Sequence, residues 1–430
     1  MIHRLIPTLL IALFGTVGPA CGRDLTLDEA VQRVTSANRD VLAARRAVES
    51  ASAGIRQADV GPNPVVSYSA TGLSNNPGIG PGSLANKRID STWRIDQVLE
   101  RGNKRDLRID AAQGNERAAR NEVLDVLRQQ SLLARVAYAD LQQAQGKTEI
   151  LADTAELFSR TYAAAQARLK AGDLAAADVA RVQVDFERAQ NDQRVAQGDL
   201  SKAQVALAFL IAEENSAPTL RAVDPWPTVL LNEAISDQRS IVLIIAKYVD
   251  GRPDVRAAQA RIEAAERLRD LARSQRTRDV SVGAQFERYP GSLPLNSVGV
   301  GVSIPLFLGN DFSGDIQRAE VERHAALDSL DRARAVAMAE IFRAAADLRA
   351  AGERRARYEG SLLAAAKRSA DAAEFAFTRG ATSVLDVLDA RRTHRAVQLE
   401  ALGARADYAK ALYAFGASVQ SVEAPAPRSK

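Results

Sequence analysis

The sequence has few of the residues that build thick globular cores or covalent cross-links. Of its 430 residues only 5% are aromatic, Met and Trp occur twice each, and Cys21 is the single cysteine. A lone cysteine excludes a disulfide bond within one chain. The chain is instead rich in Ala, Arg, Leu, Gln and Glu. This composition favours long helices packed in thin layers.

The sequence also lacks a long run of charge of one sign. The formal net charge is only +4, and Arg alternates with Asp and Glu along the stretches with helical periodicity. Such alternation is typical of solvated helix faces, whereas nucleic-acid surfaces collect basic residues in a block. We therefore expect no nucleic-acid partner.

No catalytic or metal-binding motif is present. The three histidines are His3, His324 and His394, and neither of the last two has a second ligand four residues away. The glycines of "GIGPG" and "GVG" do not open a helix after a strand in a βαβ unit, as nucleotide-binding glycines do. We predict that the chain is not an enzyme, has no metal site and needs no cofactor.

The first 20 residues are typical of a secretory signal peptide. A short basic region, His3 and Arg4, precedes an apolar stretch from residue 5 to residue 17 and then small residues. Cleavage after Ala20 would leave Cys21 available for lipidation, although Gly18 stands where a lipobox prefers Leu. The alternative is ordinary cleavage nearby with Cys21 unmodified, and the sequence leaves both open.

Apolar runs elsewhere are short. No further stretch of about 18 apolar residues follows the signal segment, and "SIVLIIA" is too short to span a bilayer. Insertion by transmembrane helices is therefore excluded, but insertion as a β-barrel is not.

The chain contains two similar halves. A capping box, Thr26-x-x-Glu29, predicts that a helix begins near residue 26. Matching positions in the two halves keep their order and lie 207 to 215 residues apart: Val41 and Val255, Val65 and Val280, Gly102 and Gly309, Gly172 and Gly380. We infer two tandem repeats of about 200 residues.

Each half carries two stretches in which apolar residues alternate with polar or small ones. The clearest are Val280 to Glu287 and Ser297 to Ile304, and the first half has weaker equivalents around Tyr68 and Trp93. Period-two alternation predicts four strands, each with one apolar face. Because no second sheet is available to cover that face, the pattern favours an outer-membrane β-barrel over a soluble sandwich. Four strands cannot close a barrel, so the barrel must be shared between chains.

Very long helices follow the strand pairs. No proline interrupts the helical pattern from Lys104 to Leu169 or from Asp311 to Thr378, and each stretch would reach about 100 Å. Apolar residues in these stretches recur at three- and four-residue spacing, which is the signature of coiled-coil packing. Gly172 and Gly380 then fit the helix-ending position of two tight hairpins.

Together these features resemble the TolC-type outer-membrane factor family over residues 24 to 419. The resemblance is carried by the signal peptide, the two halves, "RPDVRAA", "SIPLFLGN" and "GATSVLDVLDA". "DQVLERGNKRDLRIDAA" and "VGVGVSIPLFLGNDFSGDIQRAEVE" are most similar to the CzcC-like branch, which serves heavy-metal cation efflux. The resemblance implies a mainly α fold with a small β part, in which a homotrimer shares a twelve-stranded outer-membrane barrel continued by a helical tube. Outer-membrane lipid, a periplasmic adaptor and an inner-membrane RND pump are the implied partners.

The resemblance also implies a narrow mouth at the periplasmic end. The motif "DVLD" matches the carboxylates that line the family's iris, so Asp386 and Asp389 are the candidate constriction residues. Three residues apart, they share one helix face. Six such carboxylates around an axis would favour cations and raise some of their own pKa values.

Further site residues follow from the same resemblance. Asp178 matches a residue that latches neighbouring hairpins, but Phe377 replaces a Tyr and Thr382 an Arg among its expected partners, so the polar lock must differ. The candidate adaptor contacts are the two turns: Gly172, Asp173, Leu174, Gly380, Ala381 and Thr382. The candidate junctions between barrel and long helix are Gly102, Gly309 and Pro305; the first copy has Val98 in place of Pro305.

The predicted organisation follows from the repeats. A signal peptide spans residues 1–20, the first repeat 21–212, a periplasmic connector 213–250, the second repeat 251–419 and a disordered tail 420–430. The function that the resemblance implies is a passive outer-membrane channel of a tripartite efflux system, exporting cations of the cobalt, zinc, cadmium and nickel class. One alternative is that the same channel serves drug efflux or type I protein secretion. The other alternative is a protein that is not a channel, namely a structural coiled coil of the envelope.

Overall fold

The computed structural model of the protein describes residues 23–71, 89–228, 238–289, 295–379 and 381–419. The predicted signal peptide, Cys21, Gly380 and the C-terminal tail lie outside the described residues. The helices of the first half are α1 (Leu27–Ala37), α2 (Arg39–Ala58), α3 (Lys104–Lys170) and α4 (Ala176–Leu210). The later helices are α5 (Gln238–Tyr248), α6 (Pro253–Ser274), α7 (Ser313–Arg357), α8 (Leu363–Thr378) and α9 (Val384–Val419). None of the described helices combines the length and the hydropathy that a bilayer span requires.

The strands form two sheets. They are β1 (Arg23–Leu25), β2 (Val65–Thr71), β3 (Asp90–Leu99), β4 (Leu220–Ala222), β5 (Val280–Tyr289) and β6 (Leu295–Ser303). The four strands expected from alternation are β2, β3, β5 and β6, which form one antiparallel sheet in that order. β1 and β4 add a two-stranded parallel sheet that the sequence did not predict. The mainly α fold with a small β part is thus confirmed.

The helical predictions hold with one correction. Thr26 caps α1, its hydroxyl accepting a hydrogen bond from the Glu29 amide, and α3 begins at Lys104 as expected. The second long stretch is not a single α-helix, because a π-helical turn over Tyr358–Leu362 separates α7 from α8. The order helix, strand pair, long hairpin occurs twice, as α2 to α4 and as α6 to α9. The predicted repeat boundaries stay a prediction.

The described residues fall into two compact units. One lies within Met1–Asn38, Gln130–Leu230 and Leu348–Tyr413, and the other within Arg39–Gln129, Leu231–Asp347 and Ala414–Lys430. The first unit is organised around Tyr138, which is 1% exposed. Its hydroxyl donates to the Leu25 carbonyl at 2.9 Å and accepts from the Val223 and Asp224 amides at 3.1 Å. Burial raises the pKa of Tyr138 to about 12, so the hydroxyl stays protonated and joins the small sheet to α3.

The second unit contains the fully buried Arg252 of the "RPDVRAA" motif. Its guanidinium donates to Asp254 at 2.7 Å and to Glu340 at 2.8 Å. Burial alone would raise the pKa of Asp254, but the hydrogen bonds and charge of Arg252 lower it overall. An arginine therefore fits this buried position because two carboxylates accept hydrogen bonds from its guanidinium.

The four-stranded sheet also lies in the second unit and has two unlike faces. A row of exposed large side chains runs across it in register: Tyr68, Trp93, Phe286 and Val298. The Tyr68 and Trp93 ring centroids are 4.8 Å apart. This face is exposed and apolar on every strand of the sheet.

The opposite face carries the polar network. The Arg94 guanidinium donates to Asp96 at 2.7 and 2.8 Å and to Gln285 at 3.2 Å. A Cβ added to Gly283 would collide with the Asp96 carboxylate, so the strand glycine provides the space in which this ion pair lies. The alternation read from the sequence thus separates a hydrogen-bonded polar face from an apolar one.

Candidate functional site

The candidate site is the start of α9, where the second long hairpin turns back. The Asp386 carboxylate accepts hydrogen bonds from Thr382 Oγ1 at 2.6 Å, from Ser383 Oγ at 2.8 Å and from the Ser383 amide at 3.1 Å. In return the Asp386 amide donates to Ser383 Oγ at 3.3 Å, which completes a capping box. Hydrogen bonds from Thr382 first, and then from Ser383, lower the pKa of Asp386. This direction, found within one chain, is opposite to the rise expected from repulsion among six carboxylates.

The same turn separates exposed acidic side chains from buried apolar ones. Asp386 and Asp389 are exposed, whereas Val387 and Leu388 between them are buried. Leu388 belongs to a core cluster with residues of the first hairpin, among them Phe158 on α3 and Val182 on α4. Leu388 therefore fixes the start of α9 against the first hairpin, and both carboxylates face solvent.

The turn of the first hairpin is a glycine-dependent helix end. Gly172 has φ of 81°, and a Cβ there would meet no atom within 4 Å, so the backbone conformation alone favours glycine. The Asp173 amide donates to the Arg168 carbonyl at 2.9 Å. Asp173 is exposed, and Leu174 packs against the cluster that contains Leu388.

The second turn closes in a similar way. The Ala381 amide donates to the Ala376 carbonyl at 2.8 Å. Ala381 is exposed and Thr382 half-buried. The role of the two turns in adaptor binding stays a prediction.

The role of Asp178 in latching neighbouring hairpins stays a prediction. Asp178 lies in the first turn of α4 and contacts Arg181 of the same helix at 3.5 Å. Thr382 bonds Asp386 within its own hairpin. Phe377, in contrast, contacts the first hairpin, since the Arg168 guanidinium lies 5.7 Å from its ring centroid.

Two ion pairs that the sequence did not reveal do connect α4 with α9. Arg392 donates to both oxygens of Asp185, at 2.6 and 2.5 Å. Arg395 donates to Asp192 at 3.3 Å. Their signal in the sequence is only that basic residues on one helix and acidic residues on the other recur at coiled-coil spacing.

The junctions between sheet and long helix differ between the halves. Gly102, between β3 and α3, has φ of 76° and is followed by Asn103 at 57°. A Cβ on Gly102 would lie 2.9 Å from Thr277. Pro305 and Gly309 lie in the longer segment between β6 and α7, where Phe312 instead has the positive φ, 61°. Only the first junction thus requires its glycine.

No group of three or more His, Cys, Asp and Glu side chains able to hold a metal ion occurs within the described ranges. His394 faces a cavity between α3, α8 and α9 whose wall includes Asp371, Arg391 and Arg395. Burial lowers its pKa, while the Asp371 carboxylate opposes that shift.

Comparison with known proteins gives consistent matches. The family model described as "Outer membrane efflux protein" matches residues 30–213 and 245–417. The chain is 31% identical over 333 residues to Protein CyaE of Bordetella pertussis, covering 74% of this chain and 67% of that protein. It is 24% identical over 383 residues to the cobalt-zinc-cadmium resistance protein CzcC of Cupriavidus metallidurans, covering 88% and 86%. The crystal structure of the Campylobacter jejuni CmeC outer membrane channel superposes with a TM-score of 0.76 at 15% identity, covering 92% of this chain and 85% of that one.

Proposed function

The chain belongs to the outer membrane efflux protein family, and from that premise we propose that it is the outer-membrane channel of a tripartite pump that exports heavy-metal cations. Proteins of this family are passive outer-membrane channels that extend into the periplasm; they are not enzymes. They form trimers and work with adaptor proteins and inner-membrane pumps. For this chain we propose a homotrimer, a periplasmic adaptor bound at the hairpin turns and an RND-type pump.

One observation carries the proposal of cation transport. Asp386 and Asp389 are exposed at the start of α9 while their neighbours Val387 and Leu388 are buried, so the backbone holds two carboxylates on one solvent-facing surface. Hydrogen bonds lower the pKa of Asp386 and keep it ionised. Repeated in three chains around a mouth, these groups would attract cations and repel anions.

The substrate class has one further line of support and one rival. The similarity to CzcC, a protein named for cobalt, zinc and cadmium resistance, favours metal cations. The similarity to CyaE spans a smaller share of the chain at higher identity, and its name gives no substrate. Drug or protein export through the same channel is therefore the second candidate. Membership of the family argues against a purely structural coiled coil.

The test is single-channel recording from purified, detergent-extracted protein in a planar bilayer. Wild type should give a small, cation-preferring conductance. Asp386→Ala plus Asp389→Ala should give a larger conductance without that preference, because the mouth loses its acidic side chains. The fraction of the current that Zn²⁺ or Co²⁺ carries in its chloride salt should fall in the same variant.

A matched control removes the same charge elsewhere. Glu156→Ala plus Glu187→Ala neutralises two exposed carboxylates on α3 and α4 and should leave conductance and ion preference unchanged. If both double variants alter ion preference equally, the carboxylates at the start of α9 have no special role. A well-folded wild-type trimer that forms no pore would contradict the channel itself.

A further inference from the structure

A row of exposed apolar side chains on β6 continues beyond the end of the strand. Its members within the strand occupy every second position: Val298, Val300 and Val302. Beyond the last strand residue, Ile304, Leu306 and Leu308 keep that spacing and are 48%, 69% and 91% exposed. Large aliphatic side chains are unfavourable in water, so an exposed patch of this kind marks a surface that another molecule covers.

The segment with Ile304, Leu306 and Leu308 lies at the end of the sheet where the long helices begin. The end of β6 lies beside the start of β5, since Ser303 pairs with Ser281. The start of β5 also lies beside the end of β3, and α3 and α7 begin shortly after β3 and β6. Because proteins of this family extend from the outer membrane into the periplasm, this is the periplasmic end of the sheet.

Two exposed arginines lie beside the segment, between α6 and β5. The Arg278 guanidinium is 5.6 Å from the Phe307 ring centroid, and that ring packs edge-on against Phe312 at 4.9 Å. Arg276 Nε donates to the Asp311 carbonyl at 3.1 Å. Within the described ranges no carboxylate oxygen lies within 4.0 Å of the guanidinium nitrogens of either arginine. Both guanidinium groups can therefore bind an anion from outside the chain.

A phospholipid is the occupant that fits both the apolar segment and the two arginines. Its acyl chains would cover the leucines, and its phosphate would accept charge-assisted hydrogen bonds from the guanidinium groups. A neighbouring chain fits less well, because it would pair with the edge of β6, whereas the apolar side chains stand perpendicular to the sheet. The apolar face of an outer-membrane sheet contacts lipid, and the segment continues the apolar row of that face.

We propose that residues 304–308 lie in the periplasmic leaflet of the outer membrane and that Arg276 and Arg278 bind the phosphate of a phospholipid there. Together these residues form a periplasmic anchor, which fixes how deeply the sheet lies in the bilayer. This inference goes beyond the proposed function, because contact with lipid does not depend on what the channel exports.

The first test measures contact with lipid by fluorescence quenching. Trp93→Phe plus Trp226→Phe removes both native tryptophans of the full-length protein. Leu308→Trp in that background is reconstituted in phosphatidylethanolamine–phosphatidylglycerol vesicles with ordinary or brominated acyl chains. We expect bromine to quench its emission several-fold, as it should for Val300→Trp in the middle of the row. Leu243→Trp, which replaces a 71% exposed leucine of α5, is the matched control and should not be quenched.

The quenching results separate the anchor from the position of the whole sheet. Quenching of Val300→Trp without quenching of Leu308→Trp would overturn the anchor. Blue-shifted emission from the unquenched Leu308→Trp would then assign the segment to a contact with another chain, and red-shifted emission would assign it to water. Absence of quenching in both variants would contradict the membrane position of the sheet, and with it the channel.

The second test counts bound lipid by native mass spectrometry of the detergent-extracted trimer. Arg276→Gln plus Arg278→Gln should retain several-fold less phosphatidylglycerol than wild type. Arg256→Gln plus Arg343→Gln is the matched control. It removes two exposed arginines of α6 and α7 that lie about 25 Å or more along these helices from the anchor, so the count should stay unchanged. Equal counts in wild type and Arg276→Gln plus Arg278→Gln would overturn the headgroup site.

A last variant distinguishes a phospholipid from free phosphate. Leu306→Ser plus Leu308→Ser keeps both arginines and removes apolar surface that the acyl chains would cover. If the anchor binds a whole phospholipid, this variant should also retain several-fold less phosphatidylglycerol. An unchanged count would overturn the role of the segment, because a site that recognises phosphate alone does not need the leucines.

Discussion

At the scale of single residues, the two candidate mouth carboxylates are not equivalent. Asp386 accepts three hydrogen bonds from Thr382 and Ser383, whereas Asp389 one turn later is exposed and lies beyond the capping box. Their spacing in "DVLD" predicted a shared helix face. The spacing could not predict that the two carboxylates differ in hydrogen bonding, because that difference depends on where α9 begins.

Loss of the Thr382 hydroxyl should make Asp386 easier to protonate. In an Asp389→Asn background, Thr382→Val removes the donor that contributes most to the lowered pKa of Asp386. The pKa should rise toward its ordinary value of 3.8, so cation preference should be lost at a higher pH than in the background protein as acid is added. Reversal potentials in a salt gradient, recorded from neutral pH downward, measure this shift.

Thr378→Val is the control for that shift. Its hydroxyl donates to the Phe375 carbonyl at 2.7 Å rather than to a carboxylate, so the pH dependence should stay that of the background protein. Identical pH profiles for Thr382→Val and the background would mean that the capping bonds do not set the charge of Asp386 in the trimer.

The pairing of Asp185 with Arg392 could not be predicted from the sequence. Both residues were visible as ordinary charges on helices with coiled-coil spacing. Which faces of α4 and α9 meet is decided by the packing of Leu388 among α3 and α4 side chains, and no local pattern contains that information.

At the scale of the elements, strands and helices with strong periodicity were predictable and short or strained elements were not. β5 and β6 alternate over nine or ten residues, and α3 runs unbroken over 67. β1 and β4 have three residues each, too few to show alternation. The π-helical turn at Tyr358–Leu362 contains Gly360 and Ser361 but no proline, and an isolated glycine in a helical pattern does not by itself predict such a turn. Within the turn, Glu359 accepts hydrogen bonds from both Arg355 and Arg405, a tertiary arrangement that the sequence pattern does not contain.

The Arg94–Asp96 ion pair on the polar face of the four-stranded sheet should depend on Gly283 more than on Gly301. Gly283→Ala places a methyl group where the Asp96 carboxylate lies and should break the Arg94–Asp96 pair. Because both side chains of that pair are about one-third exposed and can rearrange, we expect only a small loss in the free energy of unfolding. Thermal dissociation of the purified trimer should occur at a lower temperature.

Gly301→Ala is the matched substitution on the same face. A Cβ there would lie 3.7 Å from the Arg94 guanidinium, an ordinary van der Waals distance, so stability should hardly change. Equal destabilisation by the two alanines would point to a general need for glycine backbone freedom in these strands instead of a need for space beside Asp96.

At the scale of the whole molecule, we interpret an exposed apolar stripe on α4 as an interface between chains. Large apolar side chains are exposed along it at Val184, Val195, Val205 and Phe209, and all four fall on one stripe of a seven-residue repeat. Exposed apolar stripes of this kind mark interfaces, because leaving them in water is unfavourable. The trimers formed by proteins of this family offer helices as natural partners for the stripe.

Charge placed on that stripe should weaken assembly. Val195→Glu replaces a side chain that is 52% exposed in one chain and, in our interpretation, buried in the trimer. A carboxylate without a partner at a helix–helix interface is strongly unfavourable, and the symmetric trimer would bury three. Light scattering of the detergent-extracted protein should show a smaller trimer fraction.

Gln197→Glu is the matched control. Gln197 is also exposed but lies about 200° around the helix from Val195, so the same charge is added away from the stripe and the trimer should stay intact. A stable Val195→Glu trimer would place the interface between chains on other faces of the helices and leave the α4 stripe without a role in assembly.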